Sequence, residues 1–390
     1  MTSIKKWIDE KIESGYIRKF EYDEFSQIDK IGEGAFGIVN KANLANTGLV
    51  ALKIIISKSS DEHGEVNDEF IRELELLREV DYHPKINRCL GITKDSGKYI
   101  LVLDYANEGN LRNYLRKKFI SLKWKDKIQM ALDITSGLKF LHSKGIIHRD
   151  LHSKNILVNN GKLLIADLGL SKRLAEITTN SKGNTHGMTE YIEPQCFKNN
   201  RYKKDKRSDI YSLGVLLWEI SSGRIPFSDW LRELLGYYII KGDREEPTEG
   251  TPLKYQELYQ KCWNNEPELR PDIKEVHEIL SQLINTIKQE NLSLEKIAEI
   301  YFESSQMEIK IKQRELKEMY SAYQNIQMEL VNVQQKNSQI EQNYQELKLK
   351  LISNREFAEK VQDDKIINKH KDCYNEEDYK HGVRNVFLIT

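Results

Sequence analysis

Three side chains in one part of this chain have the types and spacing needed to move a phosphoryl group. Asp150 lies in the segment IHRDLHSKNIL (147–157), Asn155 follows five residues later, and Asp167 comes twelve residues after that, in ADLG. A carboxylate beside a bound hydroxyl can accept its proton, and an Asn and an Asp can hold Mg²⁺ across two phosphates. Asp150 is therefore a candidate base, and Asn155 and Asp167 are candidate magnesium ligands.

A glycine-rich stretch, IGEGAFGIV (31–39), lies upstream of these residues. In dinucleotide-binding folds such a stretch opens a helix, but here strand-like residues follow it. A turn between antiparallel strands can lie over a triphosphate when its residues lack Cβ atoms, because its backbone amides then approach the phosphate oxygens. Gly32, Gly34 and Gly37 are the candidates for this contact.

A lysine and a glutamate complete the set. Lys53 ends the strand-like VALK (50–53), and Glu73 lies in a predicted helix at 66–80. An ion pair between them would hold the ammonium against the α- and β-phosphates. Taken singly, each residue would be interpreted as a solvated side chain.

The elements that must position these residues form two groups. Strand patterns dominate from about 25 to 103, and helical patterns dominate from about 107 to 288. This order predicts an α+β protein of two lobes, a small β-rich one and a larger helical one. Residues 1–24 contain a short amphipathic helix, which we expect to pack on the nearest lobe rather than to bind a partner.

Beyond residue 288 the pattern is that of a long helix, since no proline follows Pro271 and no glycine occurs from 251 to 381. Heptads predict a coiled coil over 289–354, dimeric through about 309–351. Asn337 is the one polar residue of the seam, and Lys336 would face Glu341 of a parallel partner. The alternative is one helix folded back on its own lobe. The seam consists of Leu316, Met319, Tyr323, Ile326, Leu330, Val333, Asn337, Ile340, Tyr344, Leu347 and Leu351.

The composition excludes several classes of protein. Lys plus Arg and Asp plus Glu each number 60, so a net charge of zero argues against an unaided nucleic-acid binder. The four cysteines form no CxxC pair, and we interpret them as reduced thiols. There is no signal-peptide core and no apolar run long enough to span a membrane. We therefore expect a cytoplasmic protein, with a charged tail at 355–390.

Over about 25–288 the sequence resembles the eukaryotic protein kinases, and the segments DIYSLGVLLWEI and KCWNNEPELRP resemble the tyrosine-kinase-like group. The resemblance implies ATP and Mg²⁺ as cofactors and proteins as substrates. It implies that Asp150 is the base, that Lys154 reaches the γ-phosphate, and that Asp209 braces the catalytic loop. The implied ATP-binding residues are Ile31, Gly32, Gly34, Gly37, Val39, Ala51, Lys53, Leu103, Asp104, Ala106 and Leu157, with Leu103 as gatekeeper and 104–106 as hinge.

The chain departs from the family pattern at several positions. Leu168 replaces the usual Phe after the magnesium-binding Asp, and we expect it to fill the same apolar socket. Gln195 replaces the Glu that pairs with the C-lobe arginine, here Arg270. We expect Gln195 to accept a hydrogen bond from Arg270 and to anchor the activation segment less firmly than a Glu would.

Specificity and regulation follow from the same resemblance. His152 stands where Ser/Thr kinases carry Lys, and Met188 stands where they carry Thr, so Ser/Thr specificity is predicted from overall resemblance alone. Arg149 implies a basic pocket for a phosphorylated activation segment. The alternatives are a Tyr-directed or dual-specificity kinase and a pseudokinase scaffold. The candidate phosphorylation sites are Thr178, Thr179, Ser181 and Thr185.

Overall fold

A computed structural model describes residues 2–34, 37–55, 68–176 and 187–361. The chain divides into two compact units, Met1–Ser293 and Leu294–Thr390. The first unit has a β-sheet lobe followed by a helical lobe, which confirms the predicted α+β, two-lobed fold.

The small lobe is built on a five-stranded antiparallel sheet of order β1-β2-β3-β5-β4. One helix, α2 (Asp68–Val80), follows β3, close to the predicted span of 66–80. The strands are β1 (Phe25–Gly34), β2 (Gly37–Leu44), β3 (Gly48–Ile55), β4 (Cys89–Asp95) and β5 (Lys98–Asp104). Lys53 therefore lies near the end of a central strand, where its backbone is held from both sides.

A helix precedes this sheet, and its chain joins the sheet edge. In α1 (Thr2–Glu13) the side chain of Ile8 is fully buried in the main core. Downstream, Phe20 N donates to Ile92 O and Ile92 N donates to Arg18 O, each at 2.9 Å. The approach leaves no room at Gly91, where a Cβ atom would lie 2.1 Å from Arg18 O. The N-terminal segment is thus packed on the small lobe.

The large lobe is mainly helical and is centred on α6, where 15 of the 17 residues are buried. Two short antiparallel strand pairs, β6–β9 and β7–β8, flank the loops that hold the candidate catalytic residues. Its elements are α3 (Leu111–Lys118), α4 (Trp124–Ser143), β6 (Ile146–Ile147), β7 (Ile156–Asn159), β8 (Lys162–Ile165), β9 (Lys172–Arg173), α5 (Pro194–Lys198), α6 (Lys206–Ser222), α7 (Leu235–Lys241) and α8 (Leu253–Cys262).

The last element is the 89-residue helix α9 (Ile273–Val361). Its first turns belong to the large lobe, since Val276 and Leu280 are fully buried. Within the second unit the described apolar side chains of the heptad seam are exposed, with Leu330 54% and Ile340 57% accessible. No described helix combines the length and the apolar character needed to cross a membrane.

Candidate active site

Lys53 joins the two lobes at the centre of the site. Its Nζ lies 2.6 Å from Glu73 Oε1 on α2 and 2.8 Å from Asp167 Oδ1 in the loop after β8. The Lys53 and Glu73 side chains are buried, and a buried charge is tolerated only when it is paired. Burial alone would lower the pKa of Lys53, but the two carboxylates raise it above its ordinary value. The lysine is thus held as a cation at a fixed position.

Asp167 is held by its backbone as well as by Lys53. Its φ is +62°, a left-handed conformation that is uncommon outside glycine, and Gly169 N donates to its Oδ1 at 3.2 Å. Burial alone would raise the pKa of Asp167, but the charge and hydrogen bond of Lys53 lower it overall. The carboxylate is therefore ionised at neutral pH, and its side chain is still 25% exposed.

Asp150 lies in the loop between β6 and β7. Asn155 Nδ2 donates to Asp150 O at 3.0 Å and to Asp150 Oδ2 at 3.3 Å, and His152 Nε2 lies 3.6 Å from the same Oδ2. On the other side, a Cβ atom at Gly187, whose φ is +118°, would lie 2.6 Å from Asp150 Oδ1. Only glycine therefore fits at position 187 beside the carboxylate, a constraint that the sequence did not predict.

Asp209 of α6 holds the backbone of this loop by hydrogen bonds. Its Oδ2 accepts from His148 N at 2.9 Å and its Oδ1 accepts from Arg149 N at 2.8 Å. His142 Nε2 lies 2.8 Å from Oδ2. Burial alone would raise the pKa of Asp209, but these contacts lower it, so the carboxylate stays ionised. This arrangement agrees with the bracing implied for Asp209.

Several residues predicted to contact adenine lie on the paired strands of the small lobe. Ala51 pairs with Leu103 across β3 and β5, and Val39 pairs with Lys53 across β2 and β3. Leu157 at β7 is half-buried, and Ile31 on β1 is 50% exposed. Val39, Leu103 and Leu157 are each half-buried, so part of their apolar surface remains accessible.

The glycine-rich stretch runs from the end of β1 into β2. A Cβ atom at Gly37, which has φ +141°, would lie 2.0 Å from Ile54 O of β3, so only glycine fits there. Gly32 lies opposite Val39, with room at 4.0 Å for a Cβ atom. Residues 35–36 lie outside the described residues.

Asn155 and Asp167 fit a divalent cation. Because Asn155 directs its Nδ2 toward Asp150, its Oδ1 remains as the atom for a cation, and Asp167 offers a partly exposed carboxylate. Ala166 N donates to Asn155 O at 2.9 Å and so ties the two loops together. Oxygen donors of these two kinds suit Mg²⁺.

The expectation for Gln195 is wrong. Gln195 Nε2 donates to Asn265 O at 3.2 Å, whereas Arg270 Nη1 lies 2.7 Å from Glu193 Oε2. Both side chains of this ion pair are completely buried, and Ser208 Oγ donates to the other oxygen of Glu193. The acid two residues earlier thus fills the socket, and the activation segment is anchored by a full ion pair. The sequence signal that could have predicted this pair was the acid Glu193, two residues before Gln195.

A second buried network lies under the catalytic loop, and the sequence did not predict it. Arg112 of α3 donates to Ser153 Oγ at 3.0 Å, to Tyr191 Oη at 3.0 Å and to Glu219 Oε1 at 3.2 Å. Tyr191 also donates to Glu219. Burial raises the pKa of Glu219, although Arg112 opposes this. The network links α3, α6, the catalytic loop and the end of the activation segment.

Other predicted residues are placed as follows. Leu168 is buried in the main core, as expected for its apolar socket. Lys154 is exposed. The hinge residue Asp104 donates its N–H to Arg88 O at 3.0 Å, and Ala106 is buried. The candidate phosphorylation sites Thr178, Thr179, Ser181 and Thr185 lie outside the described residues.

Comparison with known proteins supports the resemblance to protein kinases. The family model for protein tyrosine and serine/threonine kinases matches residues 25–280. Human receptor-interacting serine/threonine-protein kinase 1 is 30% identical, covering 71% of this chain and 44% of the relative. Arabidopsis thaliana serine/threonine/tyrosine-protein kinase HT1 is 28% identical, with 72% and 73% covered.

Mouse tyrosine-protein kinase Fer is also 28% identical, and the match covers 71% of this chain but 32% of Fer. The chain thus spans about a third to under a half of several relatives that it matches. Protein kinases use ATP and a divalent metal, generally Mg²⁺. Since the family model covers well over half of the chain, this protein belongs to the protein tyrosine and serine/threonine kinase family.

Proposed function

We propose that this chain transfers the γ-phosphoryl group of Mg-ATP to Ser and Thr hydroxyls of other proteins. The observation that carries the proposal is the position of Lys53, within 2.8 Å of both Glu73 and Asp167. An ammonium fixed between the lobes can bind the α- and β-phosphates without reorganisation when ATP enters. The kinase domain in this proposal spans 25–288.

We assign the other residues roles that their contacts support. Asp150 accepts the proton of the substrate hydroxyl, and Asn155 holds that carboxylate in place through Nδ2. Asn155 Oδ1 and Asp167 would hold Mg²⁺, which neutralises charge on the phosphates. Lys154, which is exposed, is available to the γ-phosphate as a point charge. Gly32, Gly34 and Gly37 cover the phosphates, and the adenine packs between Val39, Ala51 and Leu157.

The preference for Ser and Thr is supported by the resemblance to the tyrosine-kinase-like group and by the similarity to human receptor-interacting serine/threonine-protein kinase 1. The test is to incubate the purified chain with Mg-ATP and to identify modified residues by mass spectrometry. We expect phosphoserine and phosphothreonine, and none with Asp150→Asn. Phosphotyrosine alone would contradict the preference. Failure of the unmutated chain to transfer phosphate would favour a pseudokinase scaffold.

We further propose that the seam of α9 pairs with a second copy in a parallel coiled coil. Its described apolar side chains are exposed along the helix, and burying such a stripe drives association. In a parallel dimer Lys336 faces Glu341 of the second copy. The other facing pairs put no like charges together. They are Glu315 with Tyr320, Ala322 with Gln327, Glu329 with Gln334, and Asn343 with Lys348.

The dimer has a matched test. Leu330 lies in the seam and is 54% exposed, whereas its neighbour Val331 lies outside the seam and is 50% exposed. We expect the chain to sediment at twice its 45.7 kDa mass, Leu330→Asp to sediment as a monomer, and Val331→Asp to remain a dimer. A monomeric wild type at micromolar concentration would contradict the proposal.

Phosphorylation of the activation segment is the proposed regulator. Burial lowers the pKa of Arg149, and Arg72 acts in the same direction although Asp209 opposes it. Burial, Arg149 and Arg72 lower the pKa of Lys172, although Glu176 opposes this. A phosphate bound beside Arg72, Arg149 and Lys172 would relieve the repulsion among these three cations. We expect simultaneous replacement of Thr178, Thr179, Ser181 and Thr185 by Ala to lower turnover. Unchanged turnover would contradict this proposal. The cytoplasmic location stays a prediction.

A further inference from the structure

The peptide group that joins Arg149 to Asp150 determines where the candidate base points, and each of its ends is held. Arg149 has φ +69°, in the left-handed region that non-glycine residues rarely adopt. The N–H of Asp150 donates to His148 Nδ1 at 3.4 Å, and the carbonyl oxygen of Arg149 accepts from Lys204 Nζ at 3.2 Å. The oxygen contact comes from a residue outside all the motifs described above.

Lys204 lies in the connection between α5 and α6, two residues before the start of α6. Its side chain is buried, at 6% exposure, while its neighbour Lys203 is exposed. Burial and the Arg149 cation lower the pKa of Lys204, while Cys196, Asp150 and Glu193 oppose this change. A lysine is rarely placed so deep unless its ammonium makes a specific contact, because burial of a charge is unfavourable.

The hydrogen bond from Lys204 to the Arg149 carbonyl oxygen lies close to groups of the activation-segment anchor and of the catalytic loop. Glu193 of the segment anchor and Asp150 of the catalytic loop both act to raise the pKa of Lys204. Hydrogen bonds donated by an ammonium are stronger than those between neutral groups. A donor of this kind can therefore hold a strained peptide in one orientation.

We propose that Lys204 is a positioning residue for Asp150. By binding the carbonyl oxygen of Arg149, it fixes the left-handed turn that aims the Asp150 carboxylate toward the substrate hydroxyl. This proposal rests on the proposed phosphoryl transfer at Asp150 and adds a residue to it.

The test compares two adjacent lysines in the full chain. Lys204→Met keeps the apolar stem and removes the donor, and Lys203→Met makes the same change at the surface. We expect Lys204→Met to lower kcat by about 10- to 10²-fold, since small misplacements of a reacting group have effects of that order. KM for ATP and the melting temperature should stay close to those of Lys203→Met. Lys204→Arg, which keeps a donor, should recover part of kcat.

Two results would overturn the proposal. One is a Lys204→Met enzyme with wild-type kcat. The other is a parallel loss of kcat, ATP binding and melting temperature without recovery in Lys204→Arg, which indicates a purely structural role. A second measurement does not depend on turnover. Amide hydrogen exchange across 146–155 should be faster in Lys204→Met than in Lys203→Met, and equal exchange would also overturn the proposal. A wild type that transfers no phosphate would instead contradict the proposed function.

Discussion

The catalytic loop and the anchor of the activation segment differ in how strictly they keep the family pattern. Asp150 and Asn155 of the catalytic loop keep the residue types of the family motifs, as does Asp167 in the loop after β8. In the anchor, the assigned Gln195 turns to Asn265 O, and Glu193 makes the buried ion pair with Arg270. Both regions are nevertheless well connected to the rest of the lobe.

The difference follows from what each region must do. A base must meet one hydroxyl and a cation must meet defined oxygens, so atoms in the loop have little freedom of position. The anchor needs one negative charge in the socket of Arg270, and an acid on a neighbouring turn can supply it. Glu193 precedes α5 and reaches the socket from there, so the ion pair survives a shift of two residues along the chain.

The largest expected effect on stability comes from Glu193. Glu193→Gln leaves the completely buried guanidinium of Arg270 without its carboxylate, and breaking a buried pair costs about 3–5 kcal/mol of unfolding free energy. Gln195→Ala should cost about 0.5–1.5 kcal/mol, the contribution of one hydrogen bond. Urea denaturation followed by tryptophan fluorescence measures both, because every tryptophan lies in the first unit. These are Trp7, Trp124, Trp218, Trp230 and Trp263.

The same denaturation experiment could show instead that Gln195 contributes more to the anchor than Glu193 does. If Gln195→Ala destabilised the chain more than Glu193→Gln, the anchor would follow the family position after all. A Gln195→Glu change in the Glu193→Ala background offers a second check, since it returns an acid to the position that the family uses. Recovery of stability there would show that the socket accepts a carboxylate from either residue.

For Lys53, in the candidate active site, the expected effect of a substitution is on catalytic efficiency. Lys53→Met removes the cation held between Glu73 and Asp167, and we expect kcat/KM to fall by about 10²- to 10³-fold, as when one preorganised electrostatic contact is lost. Lys41→Met on the neighbouring strand is the control, because its ammonium lies 3.9 Å from Asp29, whose side chain is 69% exposed. Equal losses in the two variants would contradict the assignment of Lys53.

A smaller effect, on the free energy of unfolding, is expected at α1, which contains none of the family motifs. Ile8 on α1 precedes the segment that the family model matches, yet it is fully buried. Ile8→Val should cost about 0.5–1.5 kcal/mol of unfolding free energy, the usual cost of removing one buried methylene. Ile120→Val, at a fully exposed side chain, should change it by less than about 0.5 kcal/mol. Equal values would place α1 outside the cooperative core.

The smallest effect is a pH dependence at Asp209. Its pKa in the folded chain lies below the ordinary value of 3.8, so the unfolded chain takes up this proton first as pH falls. The stabilising contribution is complete above about pH 3.8 and is lost as pH falls through the folded pKa. Urea midpoints measured below that pH should fall less steeply in Asp209→Asn. An unchanged slope would remove Asp209 from the acid-sensitive groups.

The sequence predicted the parts of this molecule that local patterns encode. The two-lobed fold followed from the order of strand and helix patterns, and the spacing of Lys53, Asp150, Asn155 and Asp167 indicated one site. The apolar role of Leu168 also followed from its residue type. These features depend on short segments, in which each residue limits its neighbours.

The parts that were missed depend on contacts between distant segments. Glu193 and Arg270 are 77 residues apart, and Arg112 and Glu219 are 107 apart. Lys204, 55 residues from Arg149, follows the exposed Lys203 and has the same side chain. Residue type alone does not distinguish a buried lysine from a solvated one, since only the packing around it does.

The most direct test of the account is to measure nucleotide affinity and phosphoryl transfer together in the wild type and in Asp150→Asn. We predict that both proteins bind Mg-ATP with similar affinity and that transfer falls by about 10²- to 10⁴-fold in the variant, the range of general-base catalysis. Equal transfer by the two proteins would show that Asp150 is not the base. Tight nucleotide binding without transfer in either protein would show that this site holds ATP and does not use it.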